Sequence, residues 1–255
     1  MLVTVEGIVV GRRDVGESNC FLDILTSEYG VIEAVAHGIR KQGSKNASTT
    51  GLFSYTVFCL NKTDLRYSVN STQPKYSFFG LSLDLKKLSL AIYFADIIKY
   101  TSAAEQYSGD ILRFFAVTLY KLEKEDTDCT VIKAVFELKI MSMLGFMPDL
   151  KTCRLCGEYE REKMFFSIDE SNLFCGDCAE KTSDMGEESV ELSPTLLHTM
   201  RYVVFSPVEK VYGFALNGMT KIQFSEFAEQ YLLRQLGRSF KTLDYYKKTE
   251  ENFYE

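Results

Sequence analysis

The chain has 255 residues, 29 Lys plus Arg against 35 Asp plus Glu, and a formal net charge of −6. Apolar residues make up 46% and charged residues 25%, ordinary globular values that exclude wholesale disorder and a binder whose whole body is basic. The length suggests one or two domains with a real core.

The first 80 residues read as β structure. Val3, Val5 and Val9, and then Cys20, Leu22 and Ile24, recur with the period of two that marks a strand. Asp14–Asn19 and Ser27–Gly30 carry turn chemistry. A third strand covers about 31–37, and a long polar loop runs from Gly38 to Thr50. Tyr55–Asn61 and Leu65–Asn70 give two more strands around Lys62, Thr63 and Asp64. Five short strands suit a small closed barrel of OB type, although strand count equally allows an SH3-like barrel.

From about 81 the period becomes helical. Leu85, Leu88, Ile92 and Ala95 share one face, and Leu112, Phe115, Leu119 and Leu122 share another. Val131–Phe146 is apolar on most sides, interrupted by Lys133, Glu137 and Lys139, which predicts a largely buried helix ending near Gly145 and Pro148. Ser193–Pro194 reads as an N-cap with proline at the first helical position. Phe224, Phe227, Ala228, Tyr231, Leu232 and Leu236 form a last stripe, stopped by Gly237. The acidic stretch 184–188 reads as a solvated connection.

Seven cysteines divide unevenly: Cys20, Cys59 and Cys129 stand singly, and four cluster. Cys153 and Cys156, then Cys175 and Cys178, are two C-x2-C pairs 18 residues apart. Two cysteines three apart in a tight turn can aim both sulfurs at one ion, and Gly157 and Gly176 suit such turns. Between the pairs, Met164–Ile168 and Leu173–Phe174 read as a hairpin that returns the second pair to the first. Four thiolates suit one structural Zn²⁺ with no open coordination position. Iron in a rubredoxin-like site and two independent redox pairs are the alternatives. This cysteine usage, together with a first segment lacking a signal pattern and no apolar run of about 18 residues, leads to the expectation of a cytoplasmic protein without a membrane partner.

Charge is regional. Residues 1–80 are net +1, 81–150 net −2, 151–188 net −5 and 189–255 neutral. Arg40, Lys41 and Lys45 cluster in the polar loop, Arg12 and Arg13 sit in the first turn, and Lys62 and Arg66 lie near later strands. Phe53, Tyr55, Phe58, Tyr67 and Tyr76 interleave with these cations, the composition of a groove that neutralises phosphates and stacks bases. A solvated basic loop and core aromatics explain the same residues without nucleic acid. His37 and His198 have no partner motif: HExxH, GxSxG, P-loop and GxGxxG patterns are all missing from the sequence. The expectation is therefore a protein that is not an enzyme. A zinc-stabilised scaffold that touches only proteins is the alternative to a DNA binder.

The chain resembles the RecO family of bacterial recombination mediators. The resemblance lies in Glu6–Ser18, Leu25–Gly30, Ala34–Lys41, Phe136–Lys139 with Gly145–Pro148 before Cys153, and Tyr231–Leu243, which looks like the family's last helix. It implies an α+β multidomain protein: an N-terminal OB-fold barrel over 1–80, then a helical domain over 81–255 with a zinc module inserted at about 150–182. It also implies binding to single- and double-stranded DNA, strand annealing, and cooperation with RecR and the single-strand-binding protein to load RecA at the nucleoid. Some family members lack these cysteines, so the resemblance implies a zinc that supports the fold.

Overall fold

The computed structural model describes the chain except residues 40–45, 47–48, 64–65, 103–105, 125–127, 183–184, 187, 217 and 252–255. The early strands are β1 (Leu2–Val15), β2 (Asn19–Thr26), β3 (Val31–Ala36), β4 (Ser54–Lys62) and β5 (Tyr67–Ser77). A 3-10 turn at Phe79–Leu83 leads to α1 (Leu85–Thr101), α2 (Gly109–Lys124) and α3 (Cys129–Met143). Then come β6 (Asp149–Cys153), β7 (Met164–Ser167), β8 (Asn172–Cys175), a single turn α4 (Gly176–Ala179) and β9 (Ser189–Leu192). The chain ends in α5 (Pro194–Phe205), α6 (Gly218–Leu236) and α7 (Lys241–Glu251).

The first five strands close an OB-like barrel in the order β1-β2-β3-β5-β4. β3 pairs with β5 in parallel, and the other pairings are antiparallel. A parallel pair needs a crossover and cannot come from a simple meander of hairpins. That feature decides between the barrel types that strand count left open. The period-two side chains fill the inside: Val3, Val5, Cys20, Leu22, Ile24, Ile32, Ala34, Phe58 and Leu60 form one buried cluster. At Gly7 a Cβ would lie 2.6 Å from Ile24 Cγ2 and 2.7 Å from the Leu25 carbonyl oxygen, so only glycine lets β1 approach β2 there.

Compactness divides the chain into residues 1–126 with 240–255, and residues 127–239. The last strand runs on to Ser77, seven residues past the expected Asn70, and the unit that holds the strands also contains α1, α2 and α7. The stretch 81–255 is thus shared between the two units. In the first unit, Ser108 ties the start of α2 to the barrel: its hydroxyl donates to the Thr26 carbonyl at 2.6 Å and its N–H to the Ser27 carbonyl at 2.9 Å. Phe53, buried and held at φ +60, meets Phe115 of α2 edge-on at 6.3 Å. Helix α7 packs on α1 through buried Leu243 and Tyr246, and Thr242 Oγ1 donates to Asp96 at 2.9 Å. The segment Tyr231–Leu243 is therefore not one helix. It spans the end of α6, Gly237 at φ +59, and the start of α7.

In the second unit, α3 packs against α6 and is buried nearly all round, as its composition predicts. Its charged residues are inside and paired. Lys133 Nζ donates to Glu137 at 2.9 Å and to Glu229 of α6 at 2.8 Å. The side-chain exposures of Lys133 and Glu137 are 4% and 0%. Burial pushes the Lys133 pKa down, the two carboxylates push it up, and the net shift is upward. Lys139 donates to the carbonyls of Val204 (2.9 Å) and Ser206 (2.7 Å) at the C-terminal end of α5. Burial lowers its pKa. Both carbonyls lie where a helix leaves acceptors unsatisfied and where its dipole favours a cation.

Replacing Lys133 alone with Met strands the buried Glu137 carboxylate and lowers stability by roughly 3–5 kcal/mol, read from the urea unfolding midpoint. Replacing Lys133 and Glu137 together with Met and Leu recovers most of that loss, because an apolar pair of similar volume needs no compensation.

Candidate metal centre and nucleic-acid interface

The cysteine segment forms a four-stranded sheet in the order β6-β8-β7-β9. The hairpin read from sequence is β7 and β8, paired from Met164↔Cys175 to Ser167↔Asn172. Strands β6 and β9, five and four residues long, are not among the strands read from the sequence. Strand β6 runs parallel to β8 with Cys153 beside Leu173. Two cysteines, at the ends of parallel neighbours, therefore arrive together, and each is followed by its C-x2-C partner.

The four sulfurs of Cys153, Cys156, Cys175 and Cys178 all lie within 4.8 Å of one another, and those of Cys156 and Cys175 are 3.6 Å apart. A tetrahedral ion with metal–sulfur bonds of about 2.3 Å sets sulfurs roughly 3.8 Å apart, so the donor set fits one metal ion. Gly157 at φ +74 closes the first turn, with its N–H on the Cys153 carbonyl at 2.9 Å. Gly176 is not among the glycines with positive φ; it opens α4 and bonds the Lys163 carbonyl at 3.0 Å, so its expected turn role does not hold.

Electrostatics also call for a cation. Burial pushes the Cys153 thiol up, but the backbone N–H groups of Cys156, Cys175 and Leu155 outweigh it and bring it down to about 6. The Cys178 thiol is pushed up to about 12, first by its hydrogen bond with Cys175. Burial raises that of Cys175. Four adjacent thiols cannot all ionise alone; a bound cation inverts that balance. Arg201 of α5 braces the module. Its side chain is 8% exposed, donates to the carbonyls of Leu150 (2.8 Å), Lys151 (3.1 Å) and Tyr159 (2.7 Å), and stacks 3.9 Å from the Tyr159 ring centroid. His198 makes one exposed contact, 3.3 Å from Glu160.

The barrel carries the second candidate site. A depression of about 390 Å³ opens between the β1–β2 turn, the outer faces of β2 and β3, and the β4–β5 connection. Val15, Phe21, Val35 and Tyr67 provide apolar walls, while Asn19, His37, Thr63 and Arg66 provide polar groups. Sheet register sets the outer row Arg13↔Phe21↔Val35. The Arg13 guanidinium lies 5.4 Å from the Phe21 ring centroid, and Lys62 Nζ lies 4.9 Å and 5.4 Å from the rings of Tyr29 and Tyr67.

Several expected site residues change place. Arg12 and Arg13 are on β1, which runs on to Val15, and not in a turn. Arg40, Lys41 and Lys45 lie outside the described residues. Phe53 and Phe58 are buried and cannot stack on a ligand. The Tyr55 hydroxyl donates to Glu6, and that of Tyr76 to Glu123. Among the five expected aromatics, Tyr67 lines the depression. Phe21 and His37 were not expected there. The available signal was alternation: Phe21 sits between inward Cys20 and Leu22, so it must face out.

The family model for the recombination protein O N-terminal domain matches residues 1–78, and that for its C-terminal domain matches 82–244. The DNA repair protein RecO of Alkaliphilus metalliredigens is 29% identical over 249 residues, covering 97% of this chain and 100% of the relative. That of Acetivibrio thermocellus is 28% identical over 241 residues, 94% of each chain. Among the described residues no helix is long and apolar enough to cross a membrane.

Elemental analysis of protein purified without chelator is expected to find close to one metal ion per chain. Cys175→Ser should lose it, and a strong chelator should lower the unfolding temperature of the wild type. A metal content well below one per chain removes the site.

Proposed function

The chain belongs to the RecO family, whose role is DNA repair and recombination, and on that premise we propose that it is a recombination mediator that acts by binding DNA rather than by covalent chemistry. The observation that carries this reading is the depression on the barrel. It lies on the face and between the loops that OB folds use for oligonucleotides. Phe21 offers a ring face to an unstacked base beside the half-buried Tyr67, Lys62 and Arg66 reach the backbone phosphates, and Arg13 is a further cation at the edge, paired with Glu33. Arg66 has no carboxylate partner among the described residues, so it is the cation most available to DNA.

The protein holds single strands, also contacts duplex, and promotes annealing by concentrating complementary strands. With RecR it admits RecA to strands coated by the single-strand-binding protein, at the nucleoid in the cytoplasm. Zinc is the ion we assign to the four thiolates. It closes a tetrahedral shell, supplies no catalytic position, and holds the β6-β8-β7-β9 sheet.

Binding to single-stranded oligonucleotides across a salt series tests the reading. Wild-type affinity should fall steeply with salt. Arg66→Glu should weaken binding about tenfold at low salt and flatten the log–log slope by about 0.7. Phe21→Ala should cost about 1–3 kcal/mol of binding, with little change in thermal stability. If both variants bind like wild type, the interface lies elsewhere.

A further inference from the structure

The row beside Arg13, Phe21 and Val35 on the same outer face is acidic. Gly11, Asp23 and Glu33 are cross-strand neighbours on β1, β2 and β3. Two carboxylates directly opposite each other on adjacent strands repel. Each has found a cation: Asp23 lies 3.9 Å from Lys99 of α1, and Glu33 is in direct contact with Arg13. The Arg13 side chain is 66% exposed and that of Glu33 50%. This pair is therefore not a buried structural bridge, and its net contribution to stability is small. Its position is the notable feature. Arg13 does not itself line the depression but lies over Phe21, one of its walls, so its guanidinium stands at the edge of the depression, and Glu33 already occupies it.

We propose that Glu33 is an intramolecular competitor for Arg13, an affinity-setting residue of the DNA face. A phosphate reaching Arg13 must displace the Glu33 carboxylate and then tolerate a negative charge next to it. The pair keeps Arg13 oriented over Phe21 but holds the affinity of the isolated protein down. The acidic row also bounds the face, so that a single strand is gripped along Phe21, Tyr67 and Arg66 and not past Asp23. This inference rests on the DNA-binding reading above.

A double-mutant cycle tests it, with single-strand binding measured over a salt series for the full-length protein. Glu33→Gln is expected to bind about three- to fivefold more tightly and to steepen the log–log salt slope by about 0.7, one additional phosphate contact. In an Arg13→Ala background the same change should bring less than half of that gain. Glu28→Gln, which removes an exposed charge from the β2–β3 connection away from the depression, controls for net charge alone. An unchanged or weaker Glu33→Gln affinity overturns the proposal. So does a full gain without Arg13, or an equal gain from Glu28→Gln. In those cases wild-type binding and the Arg66 effect still stand. A wild type that binds no single strand overturns both the proposal and the reading beneath it. Thermal unfolding of each variant checks that exposed Glu33 and Glu28 do not act through stability.

Discussion

Strand β1 serves two neighbours, and the barrel depends on it. Its first half, Leu2 to Ile8, pairs with β4, and its second half, Gly7 to Val15, pairs with β2. The two pairings overlap at Gly7 and Ile8, where the strand leaves one neighbour for the other. The approach there is too close for any side chain at Gly7. A register shift between Val9 and Gly11 adds the bend that closure requires. Because β1 continues to Val15, it carries Arg13 onto the outer face opposite Phe21, while Arg12 shares a row with inward Leu22, and the cross-strand rows beside Arg13 follow from that register.

Several described cations of this barrel sit on carboxylates. Arg12 contacts Asp14, Arg13 contacts Glu33, and Lys75 contacts Glu6. The Glu6 carboxyl is held below its usual range by its bonds from Lys75 and Tyr55. A near-neutral regional charge therefore does not mean a featureless surface. Among the described residues Arg12, Arg13 and Lys75 are matched to carboxylates, and Arg66 has no carboxylate partner. Electrostatic grip on a polyanion is then local, set by which pairs open and which cations have no carboxylate to leave.

The unit of residues 127–239 solves a different problem. It buries a lysine and a glutamate in the middle of α3 and matches them across to α6, and it spends a second lysine on the end of α5. Its small sheet has too few residues for a core of its own. The sheet leans on α6 through Phe166, which meets Phe227 and Tyr231 edge-on at 5.3 and 5.9 Å. Arg201 and the cysteine quartet secure its other end. Short strands, a cation braced by carbonyls and a metal-binding quartet are alternative means to one end where hydrophobic area is scarce.

Sequence alone determined the existence of the five barrel strands and of the β7–β8 hairpin, the helical faces of α1, α2, α3 and α6, the Ser193 cap and the C-x2-C quartet. Each of these rests on spacing within a few residues, which the covalent chain enforces. It also carried the family resemblance, spread along nearly the full length. The destination of Lys133 and Lys139 was not legible, because their partners Glu229, Val204 and Ser206 lie about 65–96 residues away. Nor was the choice among the aromatics. Phe53 and Phe58 went inside while Phe21 and Tyr67 faced the depression. For Phe21 strand alternation predicts the outward side, but which outward rings share one hollow depends on the parallel pairing of β3 with β5. Tertiary structure decided the site for that reason: a groove is made by residues distant in sequence, and only closure of the barrel sets them side by side.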